Sequence, residues 1–264
     1  MSKRDSYPPG VPCWVDAGAH DVDGALAFYG ELFGWEFKGP GLMPDHGGRY
    51  FVATHDGDDV AGVGSLPPDT QPDWKTYIAV ASADDAAART AASGGEVLVQ
   101  PFDAEPAGRM AVLADPAGAV FCAWQAGERQ GARRINEPGA WAMSLLHTTD
   151  PEGAASFYGE VFGWATEGEG LSLCRLPGYV GGEPEQPVPR DVIAAMVPAQ
   201  AGAVSHWSVD FWVDDADAAA DTASRLGGHV IVPPNDTELA RQAVLADPEG
   251  AAFTVTKISK KTAG

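Results

Sequence analysis

The chain has 264 residues, 45% of them hydrophobic, and a formal net charge of -20. That length buries one large core or two small ones, and the composition is that of a globular protein and not a disordered one. So acidic a surface repels nucleic-acid backbones and anionic membranes, and no apolar run is long enough to cross a bilayer, so a soluble cytoplasmic protein is expected.

In chain order, the first predicted element is a strand through Trp14 and Asp16. Asp21 then offers an N-cap and Gly34 a left-handed stop for a helix in which Ala25, Phe28, Tyr29, Leu32 and Phe33 recur at helical spacing. Three strands follow. The glycine-rich stretch DHGGRYF among them lacks the strand-to-helix setting of a phosphate loop and reads as a hairpin or lid loop. The next strand, WKTYIAV, alternates: Trp74, Thr76, Ile78 and Val80 go toward a helix, Lys75 and Tyr77 away from it. A second helix is expected in the Ala-rich run after Asp84, stopped by Gly94 and Gly95, with three more strands behind it. The stretch from Gln125 to Gly139 is polar and follows neither period. It sets the expected boundaries: a first domain at 1–128, a linker at 129–139 and a second domain at 140–264.

The second half repeats the first. FYGELFGW at Phe28 returns as FYGEVFGW at Phe157, ASGGEVLV at Ala92 as RLGGHVIV at Arg225, and LADPAGAVF at Leu113 as LADPEGAAF at Leu245, always 129 to 133 residues on. Asp150, Pro151 and Gly163 bound its first helix. Its second is the Ala-rich run after Asp215, closed by Gly227 and Gly228. In HWSVDFWV, Trp207, Val209, Phe211 and Val213 form the helix-packing face and His206, Ser208, Asp210 and Trp212 the other. A curved sheet whose helix-free face is mixed polar and aromatic is a cup. GYVGGEPEQP is read as another hairpin or lid loop. Cys13, Cys122 and Cys174 are odd in number and lack metal-type spacing, which predicts three core thiols.

Four βαβββ units in two fused halves, with D-x-x-x-A-x-x-FY-x-x-x-FGW opening each half and DP-x-G before its last strand, resemble the vicinal oxygen chelate superfamily. More closely, they resemble the two-domain glyoxalase/bleomycin-resistance-like proteins of actinobacteria, some of which carry a hydroxylase label. The resemblance runs from Val11 to Lys257. It implies an α+β fold of two tandem domains, each made of two βαβββ units that form a cupped mixed β-sheet with helices on the outer face. In the superfamily's enzymes it also implies a divalent metal, held by His or Gln on the first strand of a unit and Glu on its last, that polarises two vicinal oxygens of the substrate. The matching positions carry Trp14, Lys75 and Cys122 in one half and Met143, Ser208 and Thr254 in the other. VAGVGSL and VIAAMVP, where a further Glu belongs, hold no carboxylate. By this mapping both metal sites are absent, and no metal or cofactor is expected.

Candidate ligand-binding residues are therefore Trp14, Asp16, Lys75, Tyr77, Cys122 and Trp124 in the first cup, and Met143, His147, His206, Ser208, Asp210 and Trp212 in the second. Asp16 and Lys75 pair either as acid and base or as a neutralising salt bridge. His147, His206 and Asp210 make either a displaced facial triad or, more commonly for such a face, a hydrogen-bonded lining. His20, His46, His55 and His229 are expected in turns or at strand starts. Cys122 has no cationic activator beyond Lys75, and no catalytic residue is assigned. Rings beyond those needed for helix packing suit a planar ligand. The leading reading is a metal-free protein that binds a small aromatic or polyketide-like natural product, in sequestration or as an accessory to oxidative tailoring. The alternatives are a hydroxylase, dioxygenase or glyoxalase-type lyase acting on a small oxygenated substrate in one cup, and a protein-association module with filled cups. Monomer and homodimer both stay open.

Overall fold

The computed structural model describes residues 2–42, 48–181, 189–200 and 202–259. Positions 45–47 of the first glycine-rich stretch, His46 included, and 182–187 of the second lie outside them. The first half runs β1 (Ser2–Lys3), β2 (Pro12–Ala19), α1 (Val22–Phe33), β3 (Glu36–Leu42), β4 (Arg49–His55), β5 (Asp58–Ser65), β6 (Trp74–Ala79), α2 (Ala83–Ala92), β7 (Glu96–Ala104), β8 (Gly108–Ala114) and β9 (Val120–Ala126). After β10 (Arg134–Ile135), which pairs back onto β1, the order repeats as β11 (Trp141–Thr148), α3 (Pro151–Phe162), β12 (Ala165–Glu167), β13 (Ser172–Arg175) and β14 (Val192–Pro198). The last unit is β15 (His206–Trp212), α4 (Ala216–Arg225), β16 (His229–Asp236), β17 (Ala240–Ala246) and β18 (Ala252–Ile258).

Each half is thus two βαβββ units joined in one eight-stranded mixed sheet, with strand orders β3-β4-β5-β2-β6-β9-β8-β7 and β12-β13-β14-β11-β15-β18-β17-β16. The expected tandem architecture is the one found. The caps explain the helix bounds: the Asp21 carboxylate accepts from Gly24 N at 3.0 Å, that of Asp150 from Gly153 N at 3.0 Å, and Gly34 and Gly163 stop the helices at φ 71° and 77°. α2 begins earlier than the sequence suggests. Ser82 caps it, accepting from Asp85 N at 3.1 Å, which moves Asp84 into the first turn, where a carboxylate suits the helix dipole.

The two sheets meet directly where β6 lies against β15, with Thr76 bonded to Ser144 of β11 at 2.7 Å, and also through their helices, where the repeated motifs are one another's partners. Phe33 of α1 packs on Phe211 of β15, and Phe28 and Tyr29 on Phe253 of β18, while Phe157, Tyr158 and Phe162 of α3 pack on Phe121 of β9. The Tyr29 hydroxyl donates to Asp247 of LADPEG at 2.9 Å, and the Tyr158 hydroxyl to Asp115 of LADPAG at 3.2 Å. The second glycine of each Gly pair completes the contact: a Cβ on Gly95 would lie 2.9 Å from the Phe157 ring, and one on Gly228 2.9 Å from the Phe28 ring. Octapeptide, Gly pair and DP-x-G recur because each interlocks with the other half's set.

The connecting segment is fastened along the first sheet. Ala132 N donates to Cys13 O at 2.8 Å and Arg133 N to Asp59 O at 2.7 Å. The buried Arg134 guanidinium meets Asp56, Asp58 and Glu137 at 3.1, 3.4 and 3.2 Å. All three cysteines are buried free thiols. Among the described residues no helix is long and apolar enough to cross a membrane.

Candidate functional site

At the middle of the first sheet, Trp14 of β2 faces Tyr77 of β6, Asp16 faces Lys75, and Tyr77 in turn neighbours Cys122 of β9. Alternation along these strands turns Trp14, Asp16, Lys75, Tyr77, Cys122 and Trp124 to the concave side, and all six line one cavity of about 820 Å³. Leu98, Val99 and Phe102 of β7 and Met110 of β8 add an apolar wall. Tyr50, Arg129 and Asp73 are among the lining residues that the sequence candidates did not include. Tyr50 sits on β4, within a stretch taken for a loop, although its alternation with Val52 was the available signal. Arg129 belongs to the expected linker, and Asp73 lies just before β6.

A chain of hydrogen bonds ties the polar floor together. Trp14 Nε1 donates to the Tyr50 hydroxyl at 2.9 Å, which donates to Asp16 Oδ2 at 3.1 Å, and the Tyr77 hydroxyl donates to the same oxygen at 2.6 Å. Burial raises the Asp16 carboxyl above the usual range, partly offset by the Tyr77 bond and the Lys75 charge. Burial and the Asp16 charge raise both phenols, so they stay protonated donors. Asp16 and Lys75 do not form the expected pair. The Lys75 ammonium binds Asp73 instead, because Asp16 is saturated on one side by phenols while a lysine stem reaches the more exposed carboxylate. Burial lowers the Lys75 amine, but Asp73 more than reverses this. Arg129 lies over the Trp14 ring at 5.5 Å, donates to Asp59 at 3.1 Å, and accepts Trp124 Nε1 on its carbonyl at 2.9 Å. Burial pushes the Cys122 thiol up, which keeps it a neutral lining group.

The second cup is built differently. His147 and His206 are register partners with rings stacked at 4.6 Å; His147 Nε2 meets Ser208 Oγ at 3.0 Å and His206 Nδ1 meets Val204 O at 2.9 Å. Burial, then His206, lowers the His147 imidazole. Asp210 accepts from Thr256 at 2.7 Å, and burial pushes its carboxyl up to about 7. Trp212 closes β15, its backbone bonded to Gly139 and Ala140. Met143 lines a separate crevice of about 50 Å³ with Arg4, Tyr7 and Tyr179. The facial-triad alternative does not hold: His206 and Asp210 are four residues apart on an extended strand, about 13 Å, too far for one cation. Among the described residues no three His, Cys, Asp or Glu side chains group as a metal site. Of the other histidines, His20 bonds Thr70 O in a turn, His229 starts β16, and His55 closes β4 instead of starting a strand.

The superfamily's metal does not fit these residues. In the first cup a cation would face the Lys75 ammonium, the Arg129 guanidinium and a neutral thiol; in the second, Met143, Ser208 and Thr254 offer neither imidazole nor carboxylate.

Cupped sheets made of paired βαβββ units, joined back to back, define a tandem protein of the vicinal oxygen chelate fold. The model of the glyoxalase-like domain matches residues 13–124 and again 128–256, and the chain belongs to that family. It is 38% identical to the putative glyoxylase CFP32 of Mycobacterium tuberculosis, over 97% of this chain and 98% of that one. It is 36% identical to the anthracycline biosynthesis protein DnrV of Streptomyces peucetius, over 96% and 94%. Among solved structures, the Mn(II)-bound glyoxalase from Novosphingobium aromaticivorans aligns with TM-score 0.64 at 18% identity, covering 100% of this chain and 87% of its own. The 2,3-dioxygenase LapB from Pseudomonas sp. KL28 aligns with TM-score 0.63 at 15% identity, covering 94% and 93%. These two likenesses are likenesses of fold.

Proposed function

We propose that the first cup binds a planar, oxygen-bearing aromatic molecule of polyketide type without the superfamily's metal, either to sequester it or to hold it for an oxidative tailoring step. The observation that carries this is the cavity of about 820 Å³ walled by Trp14, Tyr50, Tyr77 and Trp124. That volume is in the range of drug-sized ligand sites, and rings with a few convergent polar groups are what such sites use. A space of this size counts against cups merely filled by side chains. The kinship with a protein of anthracycline biosynthesis supports the ligand class. The test is titration with 2-hydroxyanthraquinone, followed by tryptophan quenching and thermal shift. Saturable quenching and a raised melting temperature, both unchanged by chelator, are expected. No quenching and no shift would sink the reading.

A further inference from the structure

The two phenols that reach Asp16 both donate to Oδ2. Asp16 also lines the cavity, and among the described residues no donor reaches its Oδ1, which leaves that oxygen for a group in the cavity. Asp16 is only 7% exposed, and a nearly buried carboxylate oxygen without a donor is costly. Whatever fills the cavity has to bring it a hydrogen. The charges around it narrow the choice. Lys75 stands directly opposite Asp16 in the register and Arg129 borders the same space, while Asp73 and Asp59, the other carboxylates near them, are already matched to these two cations. Both cations are thus already paired, and a neutral hydroxyl on a planar ring is a donor that the aromatic walls can bring to Asp16.

We infer that Asp16 Oδ1 selects for a phenolic or enolic hydroxyl, so that the first cup distinguishes hydroxylated planar aromatics from the same ring systems lacking that proton. The inference rests on the cavity being the binding site. The walls of Trp14 and Trp124 hold the ring system whatever its substituents, and the carboxylate then decides between a donor and a group that has none. Tyr50 and Tyr77 are positioning residues: by occupying Oδ2 they fix the carboxylate plane and aim Oδ1.

The experiment pairs 2-hydroxyanthraquinone with 2-methoxyanthraquinone, which keeps the rings and oxygen but lacks the proton, on the full chain and on Asp16→Asn. The wild type should prefer the hydroxyl probe by at least about tenfold, the weight of a hydrogen bond to a charged acceptor in a dry site. Asp16→Asn keeps an oxygen for the phenols and turns an amide N–H to the cavity, so the preference should vanish or reverse while the methoxy probe binds within about threefold of wild type. Equal wild-type affinities, or a preference that survives in Asp16→Asn, would overturn the assignment of Asp16 and leave the cavity reading standing. If neither probe binds the wild type, both fall. Should Asp16→Asn fail to fold, the wild-type comparison alone decides.

Discussion

Trp14 borders the cavity but is nearly buried, with Arg129 over its ring and its indole N–H donated to Tyr50, so truncating it touches binding and folding together. Trp14→Phe separates the two: most packing survives, the indole N–H is lost, and affinity for a planar probe should drop about three- to tenfold with about 1 kcal/mol of stability. Trp74→Ala is the control. Its ring packs on Tyr29 and Phe211, so it should cost about 3 to 5 kcal/mol in urea unfolding and leave ligand affinity unchanged. Asp210 carries a pH prediction. Its folded pKa near 7 lies above the unfolded value of about 3.9, so the folded state holds the proton more tightly, and stability falls as pH rises from about 4 to 7. Asp210→Asn should therefore match wild type near pH 4 and exceed it by roughly 1 to 2 kcal/mol at pH 8, as read by urea unfolding. A difference independent of pH would remove burial as the cause. At this scale the cup-facing positions were legible from alternation alone, but their partners were not. Asp16 met tyrosines instead of Lys75, because register fixes only which strands lie opposite, and a flexible ammonium goes to the carboxylate that remains free.

The helices show which local signals suffice. Asp21, Asp150, Gly34 and Gly163 act within four residues of the chain they bound, so they read directly from the sequence. The Gly pairs also ended helices as expected, yet the second glycine of each has another cause. A Cβ on Gly228 would lie 2.5 Å from Ala246 O as well as against Phe28, and one on Gly95 2.5 Å from Ala114 O as well as against Phe157. Gly228→Ala and Gly95→Ala should each cost about 1 to 3 kcal/mol through overpacking, measured by chemical unfolding. Alanine also restricts the unfolded chain, so a gain in stability would show that the two halves are less tightly apposed than described. The linker is the converse case. Its polar composition resembles a tether, but Arg134 binds the carboxylates of Asp56 and Asp58, and the backbone at Ala132 and Arg133 binds carbonyls of β2 and β5, pairings 70 or more residues apart that no local pattern announces.

For the whole molecule, the interlock of Tyr29 with Asp247 and of Tyr158 with Asp115 makes the halves depend on each other. A fragment of residues 1–138 would expose Phe28, Tyr29 and Phe33 but also carries Gly95 and Asp115, the counterparts of the Gly228 and Asp247 that those rings meet in the other half. It should form a homodimer that reproduces the pseudo-symmetric interface, detected by light scattering after gel filtration. A folded, monomeric fragment would contradict that dependence. The sequence by itself determined the duplication, the order of elements, the capped helices and the strand faces of the first cup, because period, caps and repeats are written along a single stretch of chain. Only the tertiary structure decided that the repeated motifs grip across the two halves, that Tyr50 and Arg129 join the first cup, that Asp16 turns one oxygen to an open cavity, and that His206 and Asp210 stand too far apart to share a cation. Each of these depends on distances between segments far apart in the chain, which are set by sheet curvature and by the packing of one half on the other.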